Sequence, residues 1–422
     1  MAEVAAGLVV AEEIVSTSLQ AGAATYAVAK PTMPLKATFS QIGSTDDDAS
    51  RSSLARSHHT VTIVDKKAYI FGGQTSPDTL ATNNIHAVAL PIKGAAATTE
   101  YQVLPAIAAE KDTGAVPEAR SKHAACALGT RVAVYGGCDE AGKVIDEGSK
   151  VWLYDTEKLA WESLKADSHP ERVPSARAQA SLLAHDGNLV LYGGVDSNGS
   201  ALTDVWHFDC LTKVWNQLPH APAATTSAAI AQDTLYLVAG TDNLSSEVHH
   251  LDIKLFAEQP PTWGSTSFPT NPLAPGPKAR DNGGVVPVST GFGRNYLLYF
   301  FGDRQGDAAN GDLLQWSDLW TFQLPSSQPE MKASWNMAEA IKPAKIKDQI
   351  RTAFGADTGG SSWAEVEVQV PGDLQASEGK AHPGPRGSFG YDVTADGKSV
   401  VLWGGINAEG KPAGDGWIIE LS

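Results

Sequence analysis

A strand that ends in small residues recurs six times along this chain, and such a repeat restricts the possible folds more than any other feature. The copies are AYIFGGQ (68–74), VAVYGGCD (132–139), LVLYGGVD (189–196), LYLVAGTD (235–242), LLYFFGDR (297–304) and VVLWGGIN (400–407). Each is a short apolar run, the pattern of a strand buried on both faces. Glycine stops it where the chain turns tightly and a Cβ would clash. The closest starts, 189 and 235, are 46 residues apart, and the widest, 297 and 400, are 103 apart. That is a repeat period of roughly 50 residues lengthened by insertions.

Three further elements accompany each copy. Upstream lies a shorter strand, usually opened by arginine: ARSHHTVTIV (55–64), ARSKHAACAL (119–128), ARAQASLLAH (176–185), TTSAAIAQD (225–233), ARDNGGVVPV (279–288) and PRGSFGYDV (385–393). Downstream comes a third strand, as in KVWLYD (150–155), DVWHFD (204–209), EVHHLD (247–252), DLWTFQ (318–323) and GWIIEL (416–421), with the weaker NIHAVAL (84–90) in the first repeat. A fourth carries a spaced aromatic and aliphatic pair, as in Trp161 with Leu164, Trp215 with Leu218 and Trp363 with Val366; Trp263, and Tyr101 with Leu104, are looser versions. Glycine pair, aromatic strand and spaced tryptophan together resemble the Kelch-repeat family.

That resemblance implies an all-β fold, a six-bladed Kelch β-propeller over residues 35–422. The expected blades are 55–107, 119–166, 176–219, 224–269, 279–371 and 385–422. The last supplies only three strands, so LKATFSQIG (35–43) is expected to close the ring as its fourth, with Phe39 where tryptophan would stand. Closure of this kind removes exposed sheet edges. Residues 1–34 read as an N-terminal helical segment. Within a blade-five insertion, 326–360, Ile346, Ile350 and Phe354 share one helical face behind Pro343, which predicts a short helix.

Composition narrows the partners. The net charge of −16 repels phosphate backbones, which argues against nucleic acid. No apolar run approaches the ~18 residues of a membrane span. Glu3, Glu12 and Glu13 give the N-terminal apolar stretch the wrong charge for a signal peptide. Cys126, Cys138 and Cys210 are too few for a disulfide framework and suit a reducing compartment, so a cytoplasmic location is expected, and a closed ring without exposed edges is expected to be a monomer.

The chemistry that stands out is Arg56, Arg120, Arg177, Arg280 and Arg386, each opening an innermost strand and so circling one mouth of the channel. Blade four has Ala224-Thr225 instead. Guanidinium forks match carboxylate, sulfate or phosphate. The bland alternative is a strut between blades through carbonyls or a loop aspartate, with Asp139, Asp196, Asp242 and Asp303 as candidates. His58, His123 and Asp281 accompany the arginines, with Ser57, Ser121, Gln179 and Ser388 close by, polar where a dry core would be aliphatic.

No cofactor is expected. The pairs His58-His59 and His249-His250 point to opposite faces of their strands and so cannot chelate as units. The aspartates of DRQGDAANGD (303–312) lack a bidentate glutamate in place. The reading is a binding protein that takes an anionic small molecule or an acidic protein partner at the arginine-ringed mouth.

The alternative is a small-molecule enzyme of the specifier, lyase or isomerase type. The chain is similar in size and arginine placement to nitrile-specifier proteins, but lacks their Glu-x-x-x-Asp-x-x-x-His iron run, since Glu147 is followed four on by Val151 and Glu247 by Leu251. Sialate mutarotase-like propellers, which work without metal, would assign acid–base roles to Arg56, His58, Arg120 and Asp281. Galactose oxidase-like enzymes differ in blade count.

Overall fold

The computed structural model of the protein describes residues 35–43, 53–91, 100–110, 114–167, 169, 172–240, 246–254, 260–268, 276–291, 294–304, 315–325, 361–369 and 382–422. The helices expected at 1–34 and within 326–360 lie outside these residues, as does Asp242.

The chain forms six antiparallel blades of four strands each. Blade 1 runs Thr60–Val64, Lys67–Phe71, Ile85–Ala89 and Tyr101–Leu104 from the channel outward. Blade 2 follows with Ala124–Leu128, Arg131–Tyr135, Val151–Asp155 and Ala160–Leu164, and blade 3 with Ser181–His185, Asn188–Tyr192, Val205–Asp209 and Val214–Leu218. Blade 4 comprises Ala228–Ala231, Thr234–Ala239, Glu247–Asp252 and Trp263–Thr266. Blade 5 comprises Gly284–Gly291, Arg294–Phe300, Leu319–Gln323 and Trp363–Glu365. Trp363 thus opens the fourth strand of blade 5, opposite Phe322.

Blade 6 takes Gly390–Val393, Ser399–Trp403 and Gly416–Leu421 from the C-terminal end and its fourth strand, Lys36–Gly43, from the N-terminal side. Phe39 pairs with Ile419 in that closing ladder, as the alternation of LKATFSQIG anticipates. Outside it, Glu367–Gln369 runs parallel to Lys36–Thr38.

Core residues divide into six clusters, one at each seam between neighbouring blades. Phe71, Trp152, Tyr154 and Trp161 fill the seam between blades 1 and 2. Val190, Tyr192, Leu235, Leu237 and Leu251 fill the one between blades 3 and 4. Both faces of every sheet are therefore buried, which is why the central strands read as continuous apolar runs.

The turn glycines hold the blades at this spacing. Gly136 has φ +63°, and a Cβ there would collide with the carbonyl oxygen of Arg177 in the next blade. Only glycine combines that backbone with that approach. Its partner Gly137 donates its N–H to the same carbonyl at 3.0 Å, and Gly73 to Arg120, Gly302 to Arg386 and Gly405 to Arg56 do likewise at 2.8–2.9 Å.

Candidate functional site

Each repeat arginine lies just before its innermost strand rather than within it. The chain there pairs briefly with the loop between strands two and three, as Ser57 with Gln74, Ser121 with Cys138 and Arg280–Asp281 with Asp303–Arg304. It then kinks through a left-handed residue: His58 (φ 53°), Lys122 (55°), Gln179 (54°), Asn282 (51°) and Ser388 (54°). Non-glycine residues take this conformation rarely, so surrounding structure must enforce it.

The enforcement is a relay of hydrogen bonds around the channel mouth. Gln179 N–H donates to the Lys122 carbonyl (2.7 Å), Lys122 N–H to His58 (3.0 Å), His58 N–H to Ser388 (2.9 Å) and Ser388 N–H to Asn282 (3.2 Å). Asn282 N–H donates to Thr226 Oγ1 of blade 4 (3.1 Å). Six consecutive blades thus present one polar side chain each at the mouth. All six are half-buried, and among the described residues the Lys122 ammonium and the Gln179 amide have no hydrogen-bond partner.

The arginines expected to face a ligand do not. Arg56, Arg120 and Arg177 are 0% exposed, Arg386 1% and Arg280 2%. Arg177 uses every donor internally: Nε to Ser175 O (3.0 Å), Nη1 to Gly193 O (3.0 Å) and Asp204 Oδ1 (2.6 Å), Nη2 to Ser175 Oγ (3.2 Å) and Asp204 Oδ2 (2.8 Å). Arg120 pairs with Glu147 (2.8 Å), Arg280 with Asp318 (2.6 Å) and Arg386 with Asp415 (2.8 Å). The strut reading is therefore the right one at these positions, but through other carboxylates than Asp139, Asp196 or Asp303. Each strut joins the innermost strand to the start of strand three in its own blade, while the carbonyls of Arg56, Arg120, Arg177 and Arg386 reach the preceding blade.

The true partners had a sequence signal. Asp204, Asp318 and Asp415 each precede a tryptophan by two residues, and Trp206, Trp320 and Trp417 donate Nε1–H back to the same carboxylate at 2.7–2.8 Å. In blade 1, Asn84 and His86 stand at the corresponding positions, and Arg56 meets His86 Nε2 (3.0 Å) and Gly72 O (2.9 Å). Burial lowers the Arg56 guanidinium to about 10 and His86 to about 3. Burial alone would raise Asp204 and Asp415, but arginine hydrogen bonds overcome it and hold both below the usual carboxylate range.

The remaining expected site residues separate. His58 stays at the mouth, its Nδ1 3.2 Å from Ser57 Oγ, and burial lowers its imidazole to about 4. Asp281 is exposed beside the mouth. His123 is instead 6% exposed, bonded to Thr60 Oγ1 (2.9 Å) and edge-on to Phe71, so it is part of the blade 1–2 seam. Lys122, Thr226 and Asn282 were not singled out in the sequence.

Deeper in the channel, blade 6 satisfies the free edges of its neighbours. Asp392 Oδ2 accepts from Ile63 N–H (2.7 Å) and Oδ1 from Val393 N–H (2.8 Å), while Tyr391 Oη accepts from Val285 N–H (3.3 Å). Burial pushes the Asp392 carboxyl up to about 6.

Comparison with known proteins agrees with this architecture. Residues 58–302, more than half of the chain, match the KLHDC2/KLHL20/DRC7 Kelch-repeats domain. Acyl-CoA-binding domain-containing protein 4 of Arabidopsis thaliana is 22% identical over 72% of this chain and 43% of its own length. Kelch domain-containing protein 3 of Homo sapiens is 25% identical over 44% of this chain and 48% of its own. Against these relatives the chain spans less than half of their length. A solved structure, that of YjhT, superposes with a TM-score of 0.52 at 13% identity, covering 87% of this chain and 97% of the other, which shows the shared fold.

Proposed function

The chain belongs to the Kelch-repeat family, and on that premise we propose that it is a protein-binding propeller receiving a polar peptide segment of its partner at the channel mouth. The observation that carries this reading is the belt of His58, Lys122, Gln179, Thr226, Asn282 and Ser388, one residue per blade. Five are held in a strained backbone conformation that presents them together. Residues kept in such conformations cluster at binding sites, where fixed donors and acceptors bind without an ordering cost.

The belt offers one cation, Lys122, among neutral donors and acceptors. It therefore matches a segment with a single carboxylate better than a strongly acidic partner or a free dianion. The five guanidiniums add nothing to the mouth, because they are buried and bonded within the fold. Asp392 lends little to an enzymatic reading, since both its oxygens already accept N–H groups.

The test is selection of peptides from a random phage-displayed library on the immobilised protein. Their affinities are then compared for wild type and for Lys122→Glu with Gln179→Ala. Loss of roughly tenfold or more, about 1.4 kcal/mol, is expected. Peptides that bind both proteins equally would overturn the placement of the site. Turnover of a small molecule in place of peptide binding would overturn the function.

A further inference from the structure

The seam between blades 3 and 4 differs from the others. Blade 4 lacks the arginine, and among the described residues neither backbone hydrogen-bond belt crosses from blade 3 to blade 4; at the seam between blades 4 and 5 the Thr226 hydroxyl takes the place of a carbonyl. The packing is looser as well. A Cβ at Gly193 would find the next blade's nearest atom, Thr225 O, at 4.0 Å, where the same test at Gly136 gives a collision. The Tyr192 hydroxyl bridges the gap at the mouth, donating to Ala223 O (2.6 Å) and accepting from Thr225 N–H (3.2 Å).

At the opposite face, the turns between the first two strands of blades 3 and 4 bring together His185, Asp186 and Asp233. His185 Nε2 lies 3.3 Å from Asp233 Oδ1 and 3.9 Å from Asp186 Oδ2. One ligand atom from each residue falls within 4.8 Å of the other two. Ligands on a tetrahedral ion with bonds near 2.1 Å stand roughly 3.4 Å apart, so small side-chain rotations close the set. Lys254 Nζ holds the other oxygen, Asp233 Oδ2, at 3.3 Å, which leaves Oδ1 turned to His185.

A buried histidine on the same side of blade 3 is also unsatisfied. His207 is 2% exposed, and neither of its ring nitrogens has a hydrogen-bond partner. Buried polar groups are normally satisfied, and an orphan calls for an explanation. Its row, His207–Val190–Leu183, lies two residues along from the row His185–Asn188. Strand alternation therefore puts His207 on the same blade-4-facing side as His185.

We propose that His185, Asp186 and Asp233 bind a divalent first-row transition ion such as zinc, which clips blade 3 to blade 4 at the face opposite the mouth. Imidazole with carboxylate suits this class of ion, whereas an all-oxygen set would suit calcium or magnesium. The ion would supply a link that backbone hydrogen bonds supply at the seams between blades 1 and 2, 2 and 3, 5 and 6, and 6 and 1.

The test uses the full chain, stripped with chelator and titrated with Zn²⁺ by calorimetry, with melting followed in parallel. One equivalent is expected to bind and to raise the melting temperature by mass action. His185→Ala and Asp233→Asn should weaken binding roughly tenfold or more and abolish the thermal shift. Asp186→Asn alters a side chain that is 82% exposed and leaves folding unaffected, so its weaker binding would isolate ligation from stability. Absence of stoichiometric binding, or unchanged binding in all three variants, would overturn the proposal.

Discussion

At the scale of single residues, the protein separates two uses of polarity that lie close in space. Arg177 is fully buried with all five donors met, and Asp204 is held ionised by it. Breaking such a pair leaves an uncompensated buried charge and costs about 3–5 kcal/mol. Arg177→Ala should therefore lower stability by that order in urea unfolding. A loss under about 0.5 kcal/mol, the range of ordinary surface changes, would show that the guanidinium is not a strut. The mouth residues have the opposite signature. Lys122 and Gln179 sit on a strained backbone and, among the described residues, their side chains make no hydrogen bonds, so their substitution should change partner affinity and leave stability nearly untouched.

At the scale of strands and blades, the closing strand carries the largest single responsibility. Phe39 is 3% exposed and packs edge-on to His382 at 4.4 Å between ring centroids. Phe39→Ala should cost about 3–5 kcal/mol, whereas Val103→Ala, at a site 48% exposed, should cost about 0.5 kcal/mol or less. Equal effects in urea unfolding would mean that closure through Lys36–Gly43 does not hold the ring. This strand was legible in the sequence because period-two alternation and a C-terminal blade short of one strand point to the same answer. The glycine-stopped strands were legible for a similar reason, since the clash a Cβ would meet is severe. The site was not. Non-glycine left-handed residues have no local signature, and the belt that enforces them joins positions as far apart as Asn282 and Ser388 or His58 and Ser388. The arginine partners were legible: Asp204-Val205-Trp206 and Asp318-Leu319-Trp320 recur at strand three, whereas the aspartates after the glycine pairs share no such tryptophan.

At the scale of the whole molecule, buried histidines set the response to acid. Burial lowers His58 and His382 to about 4 and His86 and His123 to about 3. Unfolded, each titrates near 6.5. Between those values the unfolded chain binds more protons, so stability is lost as pH falls, by ~1.4 kcal/mol per pH unit for each histidine. Asp392, raised to about 6, acts in the opposite sense, with stability lost as pH rises from about 4 to 6, but it is one group against four. The melting temperature should fall clearly between about pH 7 and pH 5, the window in which histidine dominates. A melting temperature that rises on acidification would contradict the neutral, buried state of these rings.

The central claim is that the arginines belong to the fold and leave recognition to the mouth belt. Its most direct test is the melting temperature of wild type and Arg120→Ala in rising sulfate and in rising glutarate, compared with chloride at equal ionic strength. A ligand bound by the folded protein raises that temperature saturably. The account predicts a lower starting temperature for Arg120→Ala and no saturable anion effect that the substitution removes. A saturable rise in wild type that disappears in Arg120→Ala would contradict it and return the arginines to the binding site.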